Sequence, residues 1–214
     1  MIPGPDARSA DEIVRIGRLL YDRRYVVATE GNLSVRIAAG RFLITPAGVS
    51  KGELDASRLV ELDLHAAAAD GQAPPPSSEW RMHAEIYRLR TDVAAVCHGH
   101  PACATAFACA RTELPVSLLP EALLILGDDV PLLPYITPGT DELAASLRGR
   151  IEDRDVLLLA NHGVVTVGSS LAEAYQRLET VERLAEVALG AKRLGGGVRL
   201  TRRQRELVRE ARRR

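Results

Sequence analysis

The chain has 214 residues, with 28 lysines and arginines against 28 aspartates and glutamates, and 46% of it is hydrophobic. That length supports one sizeable core and not two comfortable ones, so a single α/β domain is expected over residues 1–214, with a basic tail from about 198. The neutral balance excludes an overall pull toward nucleic acid, and apolar runs cut by proline or acid exclude a membrane span.

The N-terminus, M-I-P-G-P-D-A-R, has no apolar segment of signal-peptide length. Cys97, Cys103 and Cys109 form an odd set without C-x-x-C spacing, which reads as reduced thiols in a cytoplasmic protein. Ser9 with Glu12 three residues later has the spacing of a capping box. The helix it would open carries Ile13, Ile16, Leu19 and Leu20 at helical spacing and ends near Arg23–Arg24. Leu33, Val35 and Ile37 then alternate with polar residues as a half-buried strand does, and a hairpin over 38–40 leads to a second strand, 41–45. Gly31-Asn32 before the first strand and Thr45-Pro46-Ala47-Gly48 after the second are turns that can present backbone N–H groups to an anion. Ordinary turn chemistry accounts for them equally well.

Residues 59–64 form the next expected strand, followed by a proline-closed loop, 66–76. Ser77-Ser78-Glu79 opens a helix running to about Arg90, buried through Trp80, Ala84 and Tyr87, with His83 and Ile86 beside them. Hydroxyls and free N–H groups at a helix start suit an anion, and the same field keeps a carboxylate there ionised. His83, one turn after Glu79, is either a core histidine or a partner to the carboxylate.

Residues 93–97, V-A-A-V-C, read as a buried strand running into His98-Gly99-His100-Pro101. Side chains two apart on a strand share a face, so both imidazoles leave its end in parallel, while Cys97 points the other way. Residues 102–110 form a small-residue helix, and 115–127 hold apolar residues around one acid, Glu121. After the short segment 131–134, Thr140 caps a helix over 141–150. A further buried strand from Asp155 reaches Asn161-His162-Gly163, and the apolar run resumes at Val164 as if pairing back on itself. Ser169 or Ser170 opens the last long helix, 171–194, stopped by three glycines. The arginine-rich tail reads as a short exposed helix. Three histidines at two strand ends and a carboxylate at a helix start compose a metal site with a position left for substrate.

G-N-L-S at 31–34, T-P-A-G at 45–48, S-S-E at 77–79, H-G-H at 98–100 and N-H-G at 161–163 together resemble the class II aldolase/adducin family, nearest its L-fuculose-phosphate aldolases. The resemblance covers about residues 10–195. It implies an α/β fold with a central, largely antiparallel sheet between helix layers, assembled as a homotetramer with active sites near subunit interfaces. It also implies Zn2+, with Mn2+ or Co2+ as substitutes, held by His98, His100, His162 and Glu79. Glu79 would act as base once substrate displaces it, and the phosphate of a sugar phosphate would sit on Thr29, Asn32, Gly48, Ser77 and Ser78. The implied reaction is cleavage of a ketose 1-phosphate such as L-fuculose 1-phosphate to dihydroxyacetone phosphate and an aldehyde. Two departures stand out. The segment 115–126 lacks the tyrosine that family aldolases often carry there, leaving Glu121 as its one titratable group, and T-P-A-G lacks a hydroxyl. Glu121 therefore admits a dehydratase of the methylthioribulose-1-phosphate type. A pentulose-phosphate 4-epimerase and a non-catalytic adducin-like module are the remaining alternatives.

Overall fold

The computed structural model describes residues 5–65 and 74–212, so part of the 66–76 loop lies outside the described residues. In chain order the elements are α1 (Pro5–Asp22), β1 (Asn32–Ala38), β2 (Arg41–Ile44), β3 (Val60–Asp63), α2 (Trp80–Leu89), β4 (Ala95–Gly99) and α3 (Ala102–Cys109). There follow α4 (Pro120–Leu126), β5 (Leu132–Leu133), α5 (Asp141–Ala145), β6 (Val156–Leu159), β7 (Gly163–Gly168), α6 (Leu171–Arg193) and α7 (Arg202–Arg212). The strands form one sheet in the order β3-β2-β1-β4-β7-β6-β5. Every pairing is antiparallel except β5 with β6, as expected of a largely antiparallel α/β domain.

Strand alternation sorts the side chains into two layers. Leu33 and Val35 on β1 and Ala95 and Cys97 on β4 pack with α1 and α6, while Val156, Leu158 and Val164 pack with α3, α4 and α6. The opposite parity, with Val96, Leu157, Leu159, Val165 and Val167, packs on α2 and α5. His98 shares the parity of Val96, and Asn32 and Ser34 occupy the same face of neighbouring β1, in register with it through the Asn32↔His98 pair. The polar residues are thus gathered at one end of the α2 face.

Three expected boundaries move. α1 begins at Pro5, so Ser9 lies inside the helix and does not open it, because proline fits the first helical turn, where its missing N–H is not needed. α5 stops at Ala145 and not at 150; the chain continues in tight turns, with Leu147 N–H bonded to Ala144 O and Gly149 at φ +71°. α2 starts at Trp80, after the serines, with Glu79 at the N-cap but making no capping bond, so its carboxylate is available to the sheet end. Thr140 and Ser170 cap α5 and α6 as the sequence indicates. α7 is an exposed helix lying on α4, anchored by the Arg209–Asp128 ion pair. No helix among the described residues is long and apolar enough to cross a membrane.

Candidate metal centre

β4 delivers His98 and His100, and the β6–β7 turn delivers His162 across the β4–β7 pairing. His98 Nε2 lies 3.0 Å from His100 Nε2 and 3.3 Å from His162 Nε2. Glu79 closes the group, with Oε2 at 3.2 Å from His98 Nε2 and Oε1 at 3.3 Å from His162 Nε2. Two glycines permit this approach. A Cβ on Gly163 would meet Gly99 O at 2.5 Å and the His100 ring at 2.6 Å, and one on Gly31 would meet His98 O at 2.8 Å.

The opposite ring nitrogens decide which atoms face inward. His98 Nδ1 is 2.9 Å from Val164 O, so Nδ1–H donates there and Nε2 turns a lone pair toward the centre. His100 Nδ1 has Glu30 Oε2 at 3.6 Å, which favours the same tautomer. Lone pairs facing one another at such distances require a proton or a cation between them. Tetrahedral zinc with Zn–N near 2.05 Å sets its ligand atoms about 3.3 Å apart, so the three imidazoles suit such an ion, with Glu79 in contact with two of them. Glu79 Oε1, buried without a hydrogen-bond partner, fits it too.

Electrostatics point the same way. Burial pushes the Glu79 carboxyl up, but His98, His162 and the Asn32 amide outweigh it and hold the group ionised, well below the usual range. Burial, with the charge of His98 second, lowers His162 to about 3 and His100 to about 4. His98 goes the other way: burial opposes its charged form, and the Glu79 carboxylate raises it overall. Without an ion, a proton is thus held more readily on His98 than on the other two imidazoles.

A buried relay holds the carboxylate. Tyr87 OH is 2.7 Å from Ser34 Oγ, which is 2.6 Å from His83 Nδ1. His83 Nε2 is 2.6 Å from Asn32 Oδ1, and Asn32 Nδ2 donates to Glu79 Oε2 at 2.8 Å. One consistent direction of donation runs from tyrosine to carboxylate if His83 is neutral, and burial lowers it to about 3. Sequence periodicity placed His83 on the helix but left its partner open; Ser34 stood out only as the last residue of G-N-L-S, with no role attached, and Glu30 was not singled out.

The expected anion residues are brought together in part. An antiparallel bridge of Pro46 with Pro76, with Ser77 N–H donating to Thr45 O and Ala47 N–H to Pro75 O, sets the 45–48 turn beside the serines. Gly48 is at φ +68° with open space around it, Ser78 is exposed, and Ser77 is buried beneath. Thr29 is exposed on the turn before β1. Asn32 faces Glu79. Glu121 stands apart: it is exposed on α4, in a groove of about 800 Å³ that it shares with Arg23, Tyr25, Glu179 and Arg183. The Tyr25 carbonyl, which accepts from His100 N–H at 2.8 Å, joins that groove to the centre.

Residues 11–189 match the family model of the class II aldolase and adducin N-terminal domain. An L-fuculose phosphate aldolase of Methanococcus maripaludis is 36% identical over 176 residues, 82% of this chain and 93% of its own. A 3-oxo-tetronate 4-phosphate decarboxylase of Haemophilus influenzae is 34% identical over 186 residues, 85% and 87% of the two chains. A solved L-fuculose 1-phosphate aldolase superposes with a TM-score of 0.86 at 33% identity, covering 97% of this chain and 99% of its own.

Proposed function

The chain belongs to the class II aldolase and adducin family, and from that premise we propose that it is a metal-dependent lyase that breaks the bond between the carbons α and β to the carbonyl of a phosphorylated sugar. The leading substrate class is a ketose 1-phosphate such as L-fuculose 1-phosphate, giving dihydroxyacetone phosphate and an aldehyde. The observation that carries this reading is the convergence of three imidazole Nε2 atoms, two of them against an ionised, half-satisfied carboxylate. His98, His100, His162 and Glu79 would hold a divalent ion, zinc first by its nitrogen-rich ligand set, with manganese or cobalt able to replace it. When bound, such an ion acts as a Lewis acid that stabilises negative charge on the donor fragment's oxygens.

The chain's own groups account for the remainder. Asn32 fixes Oε2 of Glu79 and leaves Oε1 free to carry a proton to and from the donor carbon. The turns at Thr29 and Gly48 with Ser77 and Ser78 would bind the phosphate, so that binding energy remote from the reacting bond positions it. In this reading the acceptor-side proton falls to Glu121, the one titratable group of segment 115–126, although the fold sets it in a separate groove. A homotetramer with active sites near subunit interfaces is the assembly proposed with this reading, checked by sedimentation.

A second reading, decarboxylation of a 3-oxo acid phosphate, is favoured by one specific observation. Aldol cleavage must remove a hydroxyl proton on the acceptor side, whereas loss of CO2 needs no such base. Segment 115–126 offers only Glu121, which lies in a separate groove. The test is a product screen of metal-loaded protein with ketose 1-phosphates and a 3-oxo-tetronate 4-phosphate. Aldehyde release supports the first reading and CO2 release the second; turnover of neither class removes both.

A further inference from the structure

Behind the turns at Thr29 and Gly48 lies a group that the proposed chemistry does not yet use. Lys51 follows β2 in a short 3-10 turn and is 1% exposed, as enclosed as the apolar core. Its ammonium donates to Thr29 O at 3.0 Å and to Val49 O at 2.9 Å, one carbonyl from each turn. Those carbonyls satisfy hydrogen bonds but carry no net charge, and among the described residues no carboxylate forms an ion pair with it. Burial alone acts on its proton affinity, lowering it to about 8. Its field nonetheless reaches the imidazole of His98, so the charge sits within electrostatic range of the centre.

A buried charge without a counter-ion is costly, and the usual outcome is a partner of opposite sign. Here the described residues supply none, while the two turns whose carbonyls it holds have the backbone of an anion cradle. Ala28, Gly31 and Gly48 are at positive φ, and Ser77 and Ser78 are brought alongside by the Pro46–Pro76 bridge. We propose that Lys51 is the built-in counter-charge of this cradle, a buried ammonium whose missing partner is the phosphate group of the substrate. The inference rests on the phosphorylated-substrate reading and extends it by naming the charge that the two turns enclose. Lys51 also clasps the turns together, so charge and clasp must be separated experimentally.

Lys51→Gln separates them, because its amide keeps N–H donors for the carbonyls and removes the charge; Lys51→Met removes both. Inorganic phosphate is titrated calorimetrically into the full-length wild type and each variant, with metal content measured in parallel. The expected result is that both variants bind phosphate about 100-fold more weakly at unchanged metal stoichiometry, the order expected of one charge a few ångströms away in a partly screened site. Equal phosphate affinity in Lys51→Gln overturns the proposal, leaving Lys51 a clasp and the substrate reading intact. Failure of that variant to fold assigns Lys51 to the scaffold and overturns it as well. If the wild type itself binds no phosphate, the substrate reading falls first and takes this inference with it.

Discussion

Among the described residues, two clusters bring possible metal-ligating atoms within 4.8 Å of one another: His98, His100 and His162 at the sheet end, and Cys103, Glu182 and Glu186 between α3 and α6. Their surroundings differ. Glu182 spends both carboxylate oxygens on the start of α3, accepting from Cys103 N–H at 2.9 Å and Ala104 N–H at 2.8 Å, an N-terminal cap supplied from another helix. Burial and then the neighbouring Glu182 push the Cys103 thiol up to about 11, so it stays protonated. The histidine cluster instead aims lone pairs inward and leaves Glu79 Oε1 unpartnered. Proximity of ligand types is common to both; of the two, the histidine cluster is the one with buried atoms still in need of a partner.

The strongest way to break this contrast is to remove a ligand from each. His98→Ala is expected to lose bound metal and lower turnover by far more than the roughly 100-fold typical of losing an outer partner. Cys103→Ala should leave metal content unchanged by elemental analysis. Loss of metal from the Cys103 variant would reverse the assignment. Next in size, Glu79→Gln keeps the fold and lowers kcat by about 10³-fold, within the range of a lost general base; wild-type rates would remove that role. His83→Phe, which cuts the relay to Asn32, should cost about 10- to 100-fold in kcat with the metal retained.

Smaller effects sharpen the other side. Glu182→Ala uncovers two backbone donors at the start of α3 and is expected to cost about 1–2 kcal/mol in denaturant unfolding, with metal stoichiometry unaltered. The pH response distinguishes the clusters too. His98 holds its proton more tightly than a free histidine, whereas His100 and His162 are neutral above about pH 4. Metal binding must displace the His98 proton, so apparent affinity should fall as pH drops through the raised His98 range, with a slope of about one proton per ion. A slope of two or more in chelator competition would mean that a second imidazole is charged in the free protein.

Much of the site was legible beforehand because strand periodicity is rigid. Two residues apart on β4 means one face, so His98 and His100 had to emerge together with Cys97 opposite, as they do. The turn at His162 was legible because an apolar run interrupted by N-H-G has little choice but to fold back. Helix ends were less legible: Pro5 displaced the start of α1 from Ser9, and α5 dissolved into turns after Ala145, since both outcomes depend on neighbours and not on local pattern.

Period and short-range spacing were enough for most elements, their buried faces, the family resemblance and the residue types of the candidate centre. Tertiary structure alone decided that His83 bonds Asn32 and not solvent, that Glu182 is occupied with a helix end, that Glu121 stands in a separate groove, and that Lys51 is buried without a counter-ion. The reason is that whether a polar atom is satisfied depends on what other segments bring within about 3 Å of it, and no one-dimensional pattern carries that distance.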